Sequence, residues 1–163
     1  MRFIRLIFFS ILSLFVIASV IGIMLPSHVL VSRAVDITAP KDSIRTYLTA
    51  IENWKDWMEG MKQANINISS PSHADLGGTI VDITGTTDST IISAWKTKNG
   101  TKQISTMRLI GSPTQVTTVV QWQFEQELKW YPWERFGSMM NDKILGTMME
   151  KNLNNLRSLA EKH

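Results

Sequence analysis

Twenty consecutive residues, Leu6 to Leu25, carry no charge, and the polar members of the run are Ser10, Ser13 and Ser19. As a helix rising 1.5 Å per residue, this run is about 30 Å long, the thickness of a bilayer's hydrocarbon core. Such a segment spans a membrane, is removed as a secretory signal, or is buried as a soluble helix. Pro26 and Ser27 end it, Arg2 and Arg5 precede it, and Arg33 is the first charge after it. Signal h-regions are shorter, about 7–15 residues, and end in a small-x-small site. Ile21-Gly22-Ile23-Met24-Leu25 offers no such site, and Ala18-Ser19-Val20 is a poor substitute. The expectation is an uncleaved anchor over residues 1–27, single-pass in the cytoplasmic (inner) membrane and entering it through residues 6–25. The positive-inside rule places residue 1 in the cytoplasm and the remainder outside.

The anchor accounts for much of the charge imbalance. The chain of 163 residues has 17 Lys+Arg and 14 Asp+Glu; with Arg2 and Arg5 set aside, 15 basic residues face 14 acidic ones. A nearly neutral domain carries no electrostatic footprint for nucleic acid. There is no cysteine. That excludes disulfides, thiolate metal sites, a cysteine nucleophile and a lipoprotein anchor.

Residues 28–163 read as one α+β domain. Val29, Val31, Val35 and Ile37 alternate with polar positions from His28 to Thr38, the period of a strand. Ala39-Pro40 breaks it. Ile44, Tyr47, Leu48, Ile51 and Trp54 then recur at helical spacing, predicting a helix over about 41–59 with an interruption near Asn53. About five strands follow. A weak one holds Ile66 and Ile68; Ser69 to Gly78 reads as turns; Thr79–Thr84 is the next strand. Asn99-Gly100 reads as a two-residue hairpin turn between Thr90–Lys98 and Thr101–Ile110, pairing Trp95 with Ile104 and Ile92 with Met107. Thr114–Gln126 is the clearest strand, with Val116, Thr118, Val120, Trp122 and Phe124 on one face. From Glu134 onward the helical period returns, and Phe136, Met139/Met140, Ile144, Met148, Leu153, Leu156 and Leu159 form an apolar stripe. Strands followed by a long helix on one face is α+β architecture, and the helix can close over a cavity.

Three segments together resemble the START/polyketide-cyclase superfamily (SRPBCC). They are Ile37-Thr38-Ala39-Pro40 with the helix ending Trp54-x-x-Trp57, the run of antiparallel strands, and Trp130-Tyr131-Pro132-Trp133 with Phe136-Gly137 before the terminal helix. The likeness is especially to a bacterial subgroup with one N-terminal membrane helix. It implies the helix-grip fold, an antiparallel sheet wrapped around a long C-terminal helix. It also implies a hydrophobic small-molecule or lipid ligand beneath that helix, with cyclisation or dehydration in some relatives. The stretch from Trp57 to Val81 is shorter and more polar than in many of them.

No catalytic constellation stands out. Of three histidines, His28 borders the anchor, His163 is terminal, and His73 sits in a Ser/Pro/Gly loop near Asp75. No His/Asp/Glu cluster has metal-ligand spacing, and no Gly-x-Ser-x-Gly, Gly-x-Gly-x-x-Gly or phosphate-loop motif occurs. No metal and no cofactor are expected. Glu125 and Glu127 take the polar parity of their strand. Asp82 has parity opposite to Val81 and Ile83 and is expected to face water; inside a cavity it would be the first catalytic candidate. Asn67-Ile68-Ser69 and Asn99-Gly100-Thr101 fit the glycosylation pattern, relevant only in a eukaryotic secretory pathway.

Six tryptophans either fill the core or line an apolar pocket. In the second case Trp54, Trp95, Met107, Trp122, Phe124, Phe136, Met139 and Met140 are the ligand-contacting residues, with methionine as an adaptable wall. Trp130 to Trp133 alternatively suits the lipid headgroup level. Three functions stay open: a tethered binder of a hydrophobic molecule, a cyclase or dehydratase, and an envelope protein-interaction module whose protein partner the residues do not name.

Overall fold

The computed structural model describes residues 2–24, 27–61, 65–112, 115–129 and 131–162. Helix α1 (Arg2–Met24) is followed by strand β1 (His28–Ile37), helix α2 (Lys41–Thr49) and a 3-10 turn (Ile51–Asp56). Six strands then run in order: β2 (Ile66–Ser70), β3 (His73–Leu76), β4 (Ile80–Thr86), β5 (Thr90–Lys96), β6 (Lys102–Ile110) and β7 (Thr118–Glu127). Helix α3 (Pro132–Ala160) closes the chain. The seven strands form one antiparallel sheet in the order β1-β7-β6-β5-β4-β3-β2. The chain therefore crosses the whole sheet between β1 and β2, through α2 and the 3-10 turn.

Alternation decides which face is inside. Val31 and Ile37 on β1, Met107 and Leu109 on β6, and Val120, Trp122 and Phe124 on β7 are buried on one face. Their partners across the ladder share that face: Met107 opposes Trp122 and Leu109 opposes Val120. α2, the 3-10 turn and α3 cover it. α3 contributes Met149, Leu153, Leu156 and Ala160 to the same core.

Polar ties hold α3 down. The Arg33 guanidinium on β1 donates to Glu150 at 2.6 Å and lies 3.5 Å from Asp142. A Cβ added to Gly146 would overlap that guanidinium, so the glycine makes the room it occupies. Nearer the C-terminus, Asn152 accepts from the Glu59 amide at 2.8 Å and Asn155 donates to the Trp57 carbonyl at 3.1 Å. Glu161 accepts from the Thr38 amide at 2.9 Å.

Several sequence expectations need correction. Residues 69–78 are not only turns; His73–Leu76 is a strand, with Ala74 fully buried. Six strands, not five, follow α2. The first soluble helix is shorter than expected and tightens to 3-10 geometry from Ile51. β7 begins at Thr118, leaving Val116 68% exposed outside it. The β5–β6 hairpin is not closed by a two-residue turn. Thr97 donates to Thr101 and Gly100 donates to Thr97, both at 2.9 Å, and Gly100 has φ +82°. Three residues form the loop, the arrangement with a left-handed glycine at its last position. The register moves by one: Trp95 opposes Gln103 and Ile91 opposes Met107. One residue of slip exchanges faces on one strand relative to the other. The α3 stripe also turns by one residue in its middle, so Met149 is buried while Ile144 and Met148 are 67% and 41% exposed.

Candidate ligand-binding site

Five aromatic side chains close a ring under α3. Trp54 stacks on Trp95 with centroids 6.1 Å apart; Trp95 meets Phe124 edge-on at 5.4 Å; Phe124 meets Trp122 at 5.4 Å. Trp122 meets Trp57 at 5.8 Å, and Trp57 returns to Trp54 at 6.4 Å. These separations are the favourable offset and edge-to-face range. Each indole N–H has a partner inside the protein. Trp54 and Trp57 donate to the carbonyls of Leu48 and Tyr47; Trp95 and Trp122 donate to the hydroxyls of Ser93 and Ser105. The ring thus turns its polar atoms inward and leaves apolar surface at its open side.

That side is a pocket of about 310 Å³ between α3 and the sheet. Trp95 and Phe124 form its floor, Leu145 and Met148 of α3 its roof, and Ile66 and Leu76 its far wall. Among the described residues, none of its lining side chains is ionisable. The volume is at the lower bound of small-molecule sites, which run from about 300 to 1,000 Å³. Trp95 and Gln103 also line a second, larger cleft of about 1370 Å³. This outer cleft wraps the strand ends. It touches Val29, Gln126 and Trp133 on the α3 side, and Leu30, Ala94 and Ile104 on the opposite face of the sheet. Because it bends round the sheet, only its α3 side continues the inner pocket.

Gln103 and Gln126 meet at the threshold. The Gln103 amide nitrogen donates to the Gln126 side-chain oxygen at 2.8 Å. Gln103 lines both spaces and Gln126 the outer one, and an amide pair joined by one bond keeps further donors and acceptors for a ligand. An apolar ligand with one uncharged polar group fits that arrangement.

The expected site residues divide between core and pocket. Trp95 and Phe124 line the inner pocket. Trp54, Met107 and Trp122 are buried in the core and line neither space. Phe136, Met139 and Met140 lie on α3, with side chains outside the described residues. Trp130 also lies outside them. Asp82 projects on the face opposite Trp95, where it meets His73 at 2.5 Å; both side chains are nearly half exposed. It reaches the outer cleft from that side, together with Glu125. Sequence reasoning missed Leu145, Gln103 and Gln126. The first was hidden by the one-residue phase of α3 and Gln103 by the hairpin register; Gln126 shares the parity of Phe124, but a glutamine at a strand end carries no signal of a site. Among the described residues, no group of three His, Asp or Glu is placed to hold a metal.

The architecture has solved counterparts. A START superfamily protein from Mycobacterium smegmatis superposes with a TM-score of 0.63 over 82% of this chain and 97% of its own, at 17% identity. The fold is START-like. A protein from Nitrosospira multiformis matches with a TM-score of 0.64 at 12% identity, over 81% of this chain and 96% of its own. The di-domain ARO/CYC BexL from the BE-7585A biosynthetic pathway matches at 0.61 and 13% identity, over 87% of this chain and 53% of its own. No protein-family model and no curated protein matches this chain.

Proposed function

We propose that this START-like domain binds a hydrophobic small molecule or lipid in the pocket under α3, tethered outside the cytoplasmic membrane by α1. The observation that carries the reading is the inner pocket itself. It is mainly apolar, of ligand size, without an ionisable side chain among its described lining residues, and bordered by the Gln103–Gln126 pair. The likeness of the fold to a START superfamily protein and an ARO/CYC protein is consistent with hydrophobic ligand binding. Tethering rests on Phe3–Met24, long and apolar enough to cross a membrane and exposed over nearly all its length. Arg2 and Arg5 before it orient the domain outward. Domain boundaries at 1–27 and 28–163 follow.

A second reading, a cyclase or dehydratase, is favoured by the ARO/CYC likeness and by Glu125 and Glu134 on the outer cleft. On that reading the ligand's reactive carbon lies in the outer cleft on its α3 side, where Glu134 lines the wall.

The test is equilibrium binding of a fluorescent apolar probe to the full chain in detergent micelles. Leu145→Trp fills the pocket from its roof. The binding reading expects saturable uptake, lost in Leu145→Trp and kept in Glu125→Gln. Equal binding to wild type and Leu145→Trp, with both folded by circular dichroism, overturns it.

A further inference from the structure

The mouth of the outer cleft and the end of the membrane helix are the same place. β1 begins at His28, four residues after α1 ends at Met24. His28, Val29 and Leu30 line the cleft, and so do Trp133, Glu134 and Gly137 of the first turns of α3. Antiparallel pairing brings the other rim to that end. His28 opposes Glu127, Gln126 opposes Gln103, and the Thr97–Thr101 hairpin tip projects beyond them. The β4–β5 turn at Thr87–Ser89 lies at the opposite end of the sheet.

A specific contact holds the helix there. Arg135 of α3 donates to the carbonyls of Gly22 and Ile23 at 3.0 and 3.3 Å. These are last-turn carbonyls, which have no partner within the helix and carry the negative end of its dipole. A guanidinium supplies the missing donors and the matching charge. The first turn of α3 therefore lies level with the last turn of the apolar helix, where tyrosine and tryptophan concentrate at membrane surfaces. Tyr131 and Trp133 are stacked there, 5.0 Å apart, and Trp133 is 61% exposed. Leu30 and Ile104, near the strand ends on the same rim, are 57% and 50% exposed. Lys96, Lys98, Lys102, Lys129 and Arg135 outnumber Glu125, Glu127 and Glu134 at this end, so a modest positive charge accompanies the apolar contact with lipid.

We infer that Arg135 fixes the domain to α1 with the mouth of the cleft against the bilayer surface. The partner of this rim is lipid, zwitterionic lipid included. A ligand dissolved in the adjoining leaflet then meets the cleft without first crossing bulk water. The inference rests on the reading that α1 spans a bilayer, and its test separates the two.

The chain has no cysteine, so single labelling sites need no background removal. Leu14→Cys, Asn99→Cys and Asp88→Cys carry a fluorophore in full-length protein in phosphatidylcholine vesicles containing a headgroup-region lipid quencher and an acyl-chain quencher. The Leu14 label reports insertion, quenched by the acyl-chain probe. The Asn99 label, at the hairpin tip, is quenched by the headgroup probe, and the Asp88 label, at the far turn, is not. Arg135→Ala abolishes the difference between Asn99 and Asp88 while Leu14 stays buried. A shielded Leu14 with Asn99 and Asp88 equally unquenched overturns the orientation and leaves tethering intact. An unshielded Leu14 overturns tethering and the orientation with it. A difference that survives in Arg135→Ala overturns the role of that residue.

Discussion

At the scale of single residues, the tryptophans decide whether there is a pocket. Trp122 has no exposed surface, meets Trp57 and Phe124, and gives its N–H to Ser105. Replacing it with alanine leaves a cavity and an unpaired hydroxyl, a loss of about 3–5 kcal/mol by the usual cost of large-to-small core changes. Chemical denaturation checks this; a loss under about 1 kcal/mol would mean that the ring does not hold the core. Trp95 differs, because it shows one face to the pocket. Ring closure was not legible in the sequence: its members come from the 3-10 turn, β5 and β7, and only the folded sheet shows that Trp54 reaches Trp95. Spacing supplied the candidates but not the division between core and lining.

Glu161 is the titratable group with a readable acid dependence. The Thr38 N–H, and then Arg157, stabilise its carboxylate and hold its pKa below the ordinary value. A folded-state pKa lowered in this way contributes stability that is complete above the unfolded pKa and is lost as pH falls through the folded one. Thermal melts between pH 6 and 3 therefore fall more steeply for wild type than for Glu161→Gln, with the two curves converging at the acid end. Parallel curves would contradict it. Arg33 is shifted upward, chiefly by its bond to Glu150 and then by the Asp142 charge, with its own partial burial opposing. Its charge is constant across this range.

At the scale of elements, the grip of α3 rests on two sets of contacts. The C-terminal half is packed through Leu153 and Leu156 and tied by Asn152, Asn155 and Glu161. The middle is held to β1 by Arg33 over Gly146. This pair makes a sign prediction. Glycine to alanine inside a helix normally gains about 1 kcal/mol. Here Gly146→Ala displaces the guanidinium, so the gain is absent or reversed. In an Arg33→Ala background the obstruction is gone and Gly146→Ala recovers about 1 kcal/mol. Additive effects would show that the two residues do not touch.

Elements were the most legible scale. Strand alternation located β1, β2, β4, β5, β6 and β7, and the helical period located α3. Short β3 was lost because His73–Leu76 is bordered by Ser-Pro-Ser and Gly-Gly, and its one fully buried residue is Ala74, too small to mark a pattern. The hairpin register failed for a physical reason. Asn-Gly serves a two-residue turn and a three-residue loop alike, since both need a left-handed residue at the glycine. One residue of difference moved Gln103, rather than Ile104, opposite Trp95 and so set the polarity of the threshold.

At the scale of the molecule, two features share one axis. An apolar helix ends beside the strand ends of a START-like sheet, and the pocket under α3 opens at those same ends. The order of elements already carried the α+β class and the resemblance to the helix-grip fold. The volume left under α3 did not follow from order, because it depends on how far Trp95 and Leu145 stand apart. The inner pocket holds about 310 Å³, and its described lining residues carry no charge. The proposed function requires that this space hold an apolar molecule. The direct measurement is native mass spectrometry of the full chain released from membrane into detergent, beside Leu145→Trp prepared in the same way. The account predicts a wild-type adduct that is extracted by organic solvent, at most one per chain, and missing from Leu145→Trp. A bare wild-type mass, or the same adduct on both proteins, would contradict it.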